Sequence, residues 1–103
     1  MTAPALPDRA AIVDAARQWI RENFLYMRPD WPLTEETELL RGGVVDSVGV
    51  VELVGWLETT WHLTIPESEI TEAHLGTLGA IADYVRERLA SGEGSAAWPR
   101  QVA

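Results

Sequence analysis

Apolar positions in the first part of the chain recur with the 3.6-residue period of an α-helix. This spacing predicts a first helix from Asp8 to about Met27, with arginine and glutamate on the opposite side. Asp8 can cap the start of this helix, and Pro29 follows its end. The positions that we expect to face the core are Ile12, Ala16, Trp19, Ile20, Phe24 and Met27.

The next stretch, residues 28–45, has no helical period and contains two prolines and two glycines. It therefore predicts a long loop. A loop of this length is unusual in a small domain unless it is packed or functional. The residues that could anchor it to the core are Leu33, Leu39, Leu40 and Val44.

Helical periodicity returns in the second half of the chain. It predicts a helix over 46–61, a short helix near 71–75 and a last helix over 78–89. The fold class is therefore all-α: a small four-helix bundle with a long loop between helices one and two and a short third helix. The predicted core positions of the two longer helices are Val50, Leu53, Val54, Leu57 and Trp61, then Leu78, Ile81, Ala82, Val85 and Leu89.

Composition and charge indicate which residues form the folded domain and which classes of partner are not expected. We expect a flexible leader over 1–7, one domain over 8–90 and a flexible tail over 91–103. The net charge of −8 argues against nucleic acid, and residues 42–85 hold seven acidic residues and no arginine or lysine. No apolar run is long enough to span a membrane, and no cysteine is present. The expectation is a cytoplasmic monomer that binds neither nucleic acid nor membrane, with no metal site.

Candidate chemistry lies at the start of the second predicted helix. Asp46 and Ser47 open it, directly after a segment that contains the pair Gly42-Gly43. A phosphate ester on the Ser47 hydroxyl would lie near unpaired backbone N–H groups and the positive end of the helix dipole. Aspartate and serine are also common helix caps, so the dipeptide alone favours capping.

The same helix carries a second apolar strip on a face that the core does not use. Val48, Val51 and Gly55 form this strip, and Glu52 and Glu58 flank it. An apolar strip with acidic borders fits a partner-docking surface. A scatter of exposed valines with no role accounts for the pattern equally well.

The run from Leu39 to Val54, LLRGGVVDSVGVVELV, resembles the modification segment of acyl and peptidyl carrier proteins. The resemblance extends over about residues 8–90. It implies an acyl-carrier-type bundle in which Ser47, preceded by Asp46, receives a 4'-phosphopantetheine arm from coenzyme A. The implied role is that of a stand-alone, non-enzymatic carrier of acyl or aminoacyl thioesters. Its implied partners are a phosphopantetheinyl transferase, a loading ligase and downstream pathway enzymes with basic docking surfaces.

Three positions depart from the pattern of that family, two of them from that of its fatty-acid carriers. Val48 replaces a frequent leucine, and Gly49 and Thr59 stand where further acidic residues are common. These departures favour a specialised biosynthetic pathway over fatty-acid synthesis, which stays an alternative. A second alternative is a non-enzymatic acidic helical adaptor that binds a basic partner and uses Ser47 only as a cap.

Two catalytic or metal-binding interpretations fail on spacing. Adjacent Asp46 and Ser47 cannot both flank one imidazole as a Ser-His-Asp triad requires. His62 and His74 lack the spacing of known metal-binding motifs.

Overall fold

A computed structural model describes residues 7–91 of the 103-residue chain. It contains four α-helices, with no strand among the described residues, and so confirms the all-α fold class. The predicted leader and tail lie outside the described residues, except for Pro7 and Ser91. The helices are α1 (Arg9–Phe24), α2 (Ser47–Trp61), α3 (Glu72–Leu75) and α4 (Leu78–Ala90), with a 3-10 turn at Glu67–Glu69 before α3.

The core is apolar throughout the described part of the chain, where no polar or charged residue is buried. Helix α1 packs against α4, and α3 packs against the same helix. All five predicted core positions of α4 are buried, as are Leu53, Val54 and Leu57 of α2. Val50 and Trp61 are only partly buried at the edge of the core.

The prediction for the end of the first helix was wrong. Helix α1 ends at Phe24, and Met27 is 80% exposed. The chain leaves the helix at Leu25, whose carbonyl accepts a hydrogen bond from the Arg28 N–H at 2.8 Å. This turn places Met27 away from the core, although the spacing of Met27 in the sequence continues the helical period. Asp8 takes the N-cap position, but its side chain makes no capping hydrogen bond.

The long loop between α1 and α2 is packed onto the bundle. Its predicted anchors Leu33, Leu39 and Val44 are buried, and Leu40 is partly buried. Backbone hydrogen bonds hold the middle and the last part of the loop. The contacts are Leu39 N–H to the Gly76 carbonyl at 2.8 Å, Val45 N–H to the Leu39 carbonyl at 2.9 Å and Gly79 N–H to the Glu35 carbonyl at 3.0 Å.

Folding neutralises part of the acidic segment 42–85. Three of its seven acidic side chains form ion pairs with arginines from outside the segment. The surface field is therefore less one-sided than the linear sequence indicates. The pairs are Asp83–Arg9 at 2.7 Å, Glu72–Arg41 at 3.0 Å and Glu69–Arg88 at 2.8 Å.

None of the helices in the described range has both the length and the apolar character that a bilayer-spanning helix needs.

Candidate functional site

The N-terminus of α2 is capped by Asp46. The backbone of Asp46 is extended, and its Oδ1 atom accepts a hydrogen bond from the Gly49 N–H at 2.7 Å. Its carbonyl accepts the first intrahelical hydrogen bond, from the Val50 N–H at 2.9 Å. The cap is therefore complete without Ser47, which is the first residue of the helix. The interpretation of Ser47 as the cap is wrong.

The hydroxyl of Ser47 takes no part in this cap. Ser47 and Asp46 are both exposed. Within residues 7–91, the Ser47 side chain makes no hydrogen bond, whereas the Asp46 carboxylate is engaged by the backbone of its own helix. A surface depression lies beside the hydroxyl, lined by Leu40, Gly43, Val45, Asp46, Ser47 and Val50.

The segment that leads into α2 is fixed by a glycine turn and a buried valine pair. Gly43 has a φ of 81°, in the left-handed region that residues with a side chain rarely adopt. Its N–H donates to the Leu40 carbonyl at 3.3 Å. Val44 and Val45 then enter the core directly before Asp46. The turn and the valines anchor the helix start while the next residues stay at the surface.

These residues fit a phosphate ester on Ser47. The N–H groups of Ser47 and Val48 belong to the first turn, where a helix supplies no backbone acceptor. They can donate to phosphate oxygens, and the positive end of the helix dipole favours the negative charge. The exposed hydroxyl and the adjacent depression leave space for a flexible arm to pass.

Gly49 is buried because α1 ends against it. A Cβ atom placed on Gly49 would lie 2.6 Å from Cε1 and 2.9 Å from Cζ of Phe24. It would also lie 3.1 Å from Cγ1 of Val45. In the sequence, Gly49 stands out only as a missing acidic residue. Its packing role depends on a partner 25 positions earlier, and no periodic pattern indicates that contact.

The predicted docking strip lies at the surface of α2. Val48 and Val51 are 70% and 71% exposed, and Glu52 and Gly55 are also exposed. Glu58 differs from the others because it is half-buried and its Oε2 atom accepts a hydrogen bond from the Ile65 N–H at 2.8 Å. Four of the five predicted docking residues are thus exposed. Their binding to a partner stays a prediction.

The structure exposes two apolar residues that the sequence did not predict to lie at the surface. Tyr26 is 70% exposed and follows the end of α1 with Met27. Their chain neighbour Phe24 contacts the first turn of α2, so they lie close in sequence to the Ser47 end of that helix. The helical period placed Met27 in the core, and only the early end of α1 exposes it.

The tryptophans predicted to point inward form a partly buried aromatic series with Trp56. Trp19 stacks on Trp56 with ring centroids 5.2 Å apart and an interplanar angle of 13°. Trp61 meets Trp56 edge-on at 5.2 Å, and Phe24 meets Trp19 edge-on at 5.5 Å. The series joins α1 to α2 along their shared side.

In the range 7–91, no three histidine, aspartate or glutamate side chains are grouped so that they could hold a metal ion. His74 instead packs against Tyr84, with ring centroids 4.7 Å apart.

The chain matches no protein-family model. It is similar to a D-alanyl carrier protein of Streptococcus suis (strain 98HAH33), with 38% identity over 52 residues. The match covers 50% of this chain and 66% of the relative, so it spans just under two thirds of that protein. With the all-helical fold, this match supports a small carrier-protein family for the chain.

Proposed function

We propose that this protein carries acyl or aminoacyl groups as thioesters on a 4'-phosphopantetheine arm attached to Ser47. The observation that carries the proposal is that Asp46 and Ser47, at the start of α2, have different roles. Asp46 caps the helix, and the exposed Ser47 hydroxyl has no hydrogen bond among the described residues. A serine that only served as a cap would have its oxygen bound to the first turn.

Attachment requires a separate transferase. The reaction joins the Ser47 Oγ atom to phosphorus of coenzyme A and releases the nucleotide half, while a base accepts the hydroxyl proton. No described side chain is hydrogen-bonded to the Ser47 hydroxyl, and the neighbouring carboxylate of Asp46 already accepts from Gly49. The base is therefore expected to come from the phosphopantetheinyl transferase.

The arm, once bound, supplies the thiol that holds the cargo. The chain itself catalyses nothing in this proposal. Ser47 tethers the arm, and the backbone N–H groups of Ser47 and Val48 hold its phosphate. Tethering raises the effective concentration of the cargo at each partner's active site. Transfer of cargo without any partner enzyme would contradict this part of the proposal.

Partner docking is proposed for the exposed face of α2. A partner with arginine or lysine around an apolar groove would receive Val48 and Val51 and face Glu52. Charge reversal by Glu52→Arg should slow association with the loading enzyme, and the deficit should shrink as salt rises. Unchanged kinetics would remove this face as the docking element. Glu58 is a poor probe, because its loss also breaks the hydrogen bond to Ile65.

The cargo is proposed to be an aminoacyl or small specialised acyl group. The similarity to a D-alanyl carrier protein supports an aminoacyl cargo. The stacked Trp19–Trp56 pair also occupies volume between α1 and α2 that a long chain would need. Thermal unfolding of octanoyl-loaded and aminoacyl-loaded protein tests this, because a sheltered chain would stabilise the fold. A markedly higher melting temperature for the octanoyl form would favour a fatty-acyl carrier.

The proposal as a whole is tested by incubation with coenzyme A and a promiscuous phosphopantetheinyl transferase. Intact-mass measurement should show one added arm on the wild type and none on Ser47→Ala. An acidic adaptor that uses α2 only for docking would gain no mass in either form.

A further inference from the structure

Gly49 occupies a position in α2 where a glycine is unfavourable by local rules. It lies in the first turn, two residues after Ser47, and its N–H binds the Asp46 cap. Glycine is the weakest helix former after proline, so an alanine would serve the isolated helix better. A tertiary contact is therefore expected to explain why a glycine stands at this position.

That contact is the ring of Phe24, the last residue of α1. The Phe24 ring fills the space that a Gly49 side chain would take, with Cε1 2.6 Å and Cζ 2.9 Å from the Cβ position. Val45 closes the other side at 3.1 Å and is itself buried. A methyl group at Gly49 cannot enter without moving the ring or the helix start.

The ring of Phe24 is supported from behind. It meets the edge of Trp19 with centroids 5.5 Å apart, and Trp19 stacks on Trp56 in the middle of α2. Displacement of Phe24 would disturb this aromatic series. We expect the first turn of α2 to yield instead, because Ser47 and Val48 are exposed and no other described residue covers them.

We propose that Gly49 is a positioning residue for modification: its missing side chain lets Phe24 seat the first turn of α2 and so fixes the Ser47 hydroxyl for the transferase. The inference rests on the proposed function. It assigns Gly49 no contact with coenzyme A, because the residue is buried beneath the turn. Its effect passes through the position of the helix start.

The test compares rates of arm attachment to variants shown by circular dichroism to be fully folded at the assay temperature. Gly49→Ala should lower kcat for attachment by about tenfold or more, because ångström-scale misplacement of a reacting group costs up to about a hundredfold. The double variant Gly49→Ala/Phe24→Leu removes the colliding ring atoms and should return kcat to near the wild-type value. Thr60→Ala, at an exposed position of the same helix, controls for an alanine substitution in α2.

The outcomes distinguish a failure of this inference alone from a failure of the proposed function. A folded Gly49→Ala protein modified at the wild-type rate would overturn the positioning role and leave Ser47 as the attachment site. A slow double variant would overturn Phe24 as the opposing group. If Gly49→Ala does not fold, the folded double variant at the wild-type rate supports the inference, and an unfolded double variant overturns it. A wild type that never gains the arm overturns the proposed function and the inference together.

Discussion

Polar side chains around α4 bind one another, whereas the polar side chains at the start of α2 do not. Around α4, the Tyr84 hydroxyl donates to Glu69 at 2.6 Å, and Arg88 donates to Glu69 at 2.8 Å. Arg88 also donates to the Tyr84 oxygen at 2.5 Å. At the start of α2, Asp46 is bound only within its own helix, and Ser47 is free among the described residues.

This contrast separates the residues that hold the fold from those available to partners. The network around α4 ties that helix to the 3-10 turn, and the Arg88 guanidinium also donates to the Thr64 carbonyl at 2.7 Å. The start of α2 is anchored by Asp46, Val45 and Gly49, whose contacts are all internal. Substitutions in the first region should therefore change stability, and substitutions at exposed α2 positions should change partner reactions.

The largest expected effect is the dependence of stability on alkaline pH. Burial, with a further contribution from the Glu69 hydrogen bond, raises the pKa of Tyr84 from 10.0 to about 12. The neutral phenol is thus favoured in the folded state. Its contribution is complete below pH 10 and is lost as pH rises toward 12, by about 2–3 kcal/mol in all. Chemical denaturation of wild type and Tyr84→Phe across this range measures the difference in slope, and parallel curves would contradict the expectation.

The next effect compares two acidic residues that the linear sequence treats alike. Glu69→Ala leaves Tyr84 and Arg88 without their shared acceptor and should cost about 2 kcal/mol of unfolding free energy. Glu52→Ala, at an exposed position with no hydrogen bond or ion pair among the described residues, should change it by less than about 0.5 kcal/mol. Urea denaturation of both variants checks this. Equal losses would erase the distinction between the two regions.

The two residues that open α2 should separate in the same way. Asp46→Ala removes the cap on the Gly49 N–H and should cost about 1 kcal/mol. Ser47→Ala removes no hydrogen bond of the described structure, so its effect should stay below about 0.5 kcal/mol. A loss of about 1 kcal/mol would be expected for Ser47→Ala if the serine were the cap. Thermal unfolding that ranks Ser47→Ala as the more damaging change would restore that premise.

The smallest effect concerns two glycines of one helix. Gly55→Ala adds a methyl group where no described atom lies within 4 Å apart from its chain neighbours and its own helix backbone, so it should stabilise the fold by about 0.5–1 kcal/mol through helix propensity. Gly49→Ala places the same group against Phe24 and should be destabilising despite the same gain. Melting temperatures that rise equally for both would show that the Phe24 ring yields without cost.

The regular elements could be predicted from sequence because their cores follow a fixed period. Every predicted core position of α4 is buried, since that helix packs one continuous apolar stripe. The loop anchors Leu33 and Leu39 were equally visible, because they are leucines in a polar segment that prolines and glycines bound. Met27 shows the limit: periodicity continues beyond the point where a local turn ends the helix.

The identity of the site residues could be predicted from the sequence, but the contacts that hold the site in place could not. Ser47 and Asp46 followed from the resemblance of their segment to carrier proteins. The contact of Gly49 with Phe24 and the hydrogen bond from Ile65 to Glu58 join residues through the folded chain, and no periodic pattern records such pairings. The ion pairs of Asp83 and Glu69 were equally hidden, because their arginines lie outside the acidic segment.

The central claim is that Ser47 alone receives the arm, and fragment mass spectrometry after treatment with coenzyme A and a transferase tests it most directly. Ser68 is the matched control, because it is also exposed and preceded by an acidic residue. We predict one arm, located on Ser47, in the wild type and in Ser68→Ala, and none in Ser47→Ala. An unmodified wild type, or an arm retained by Ser47→Ala, would contradict the account.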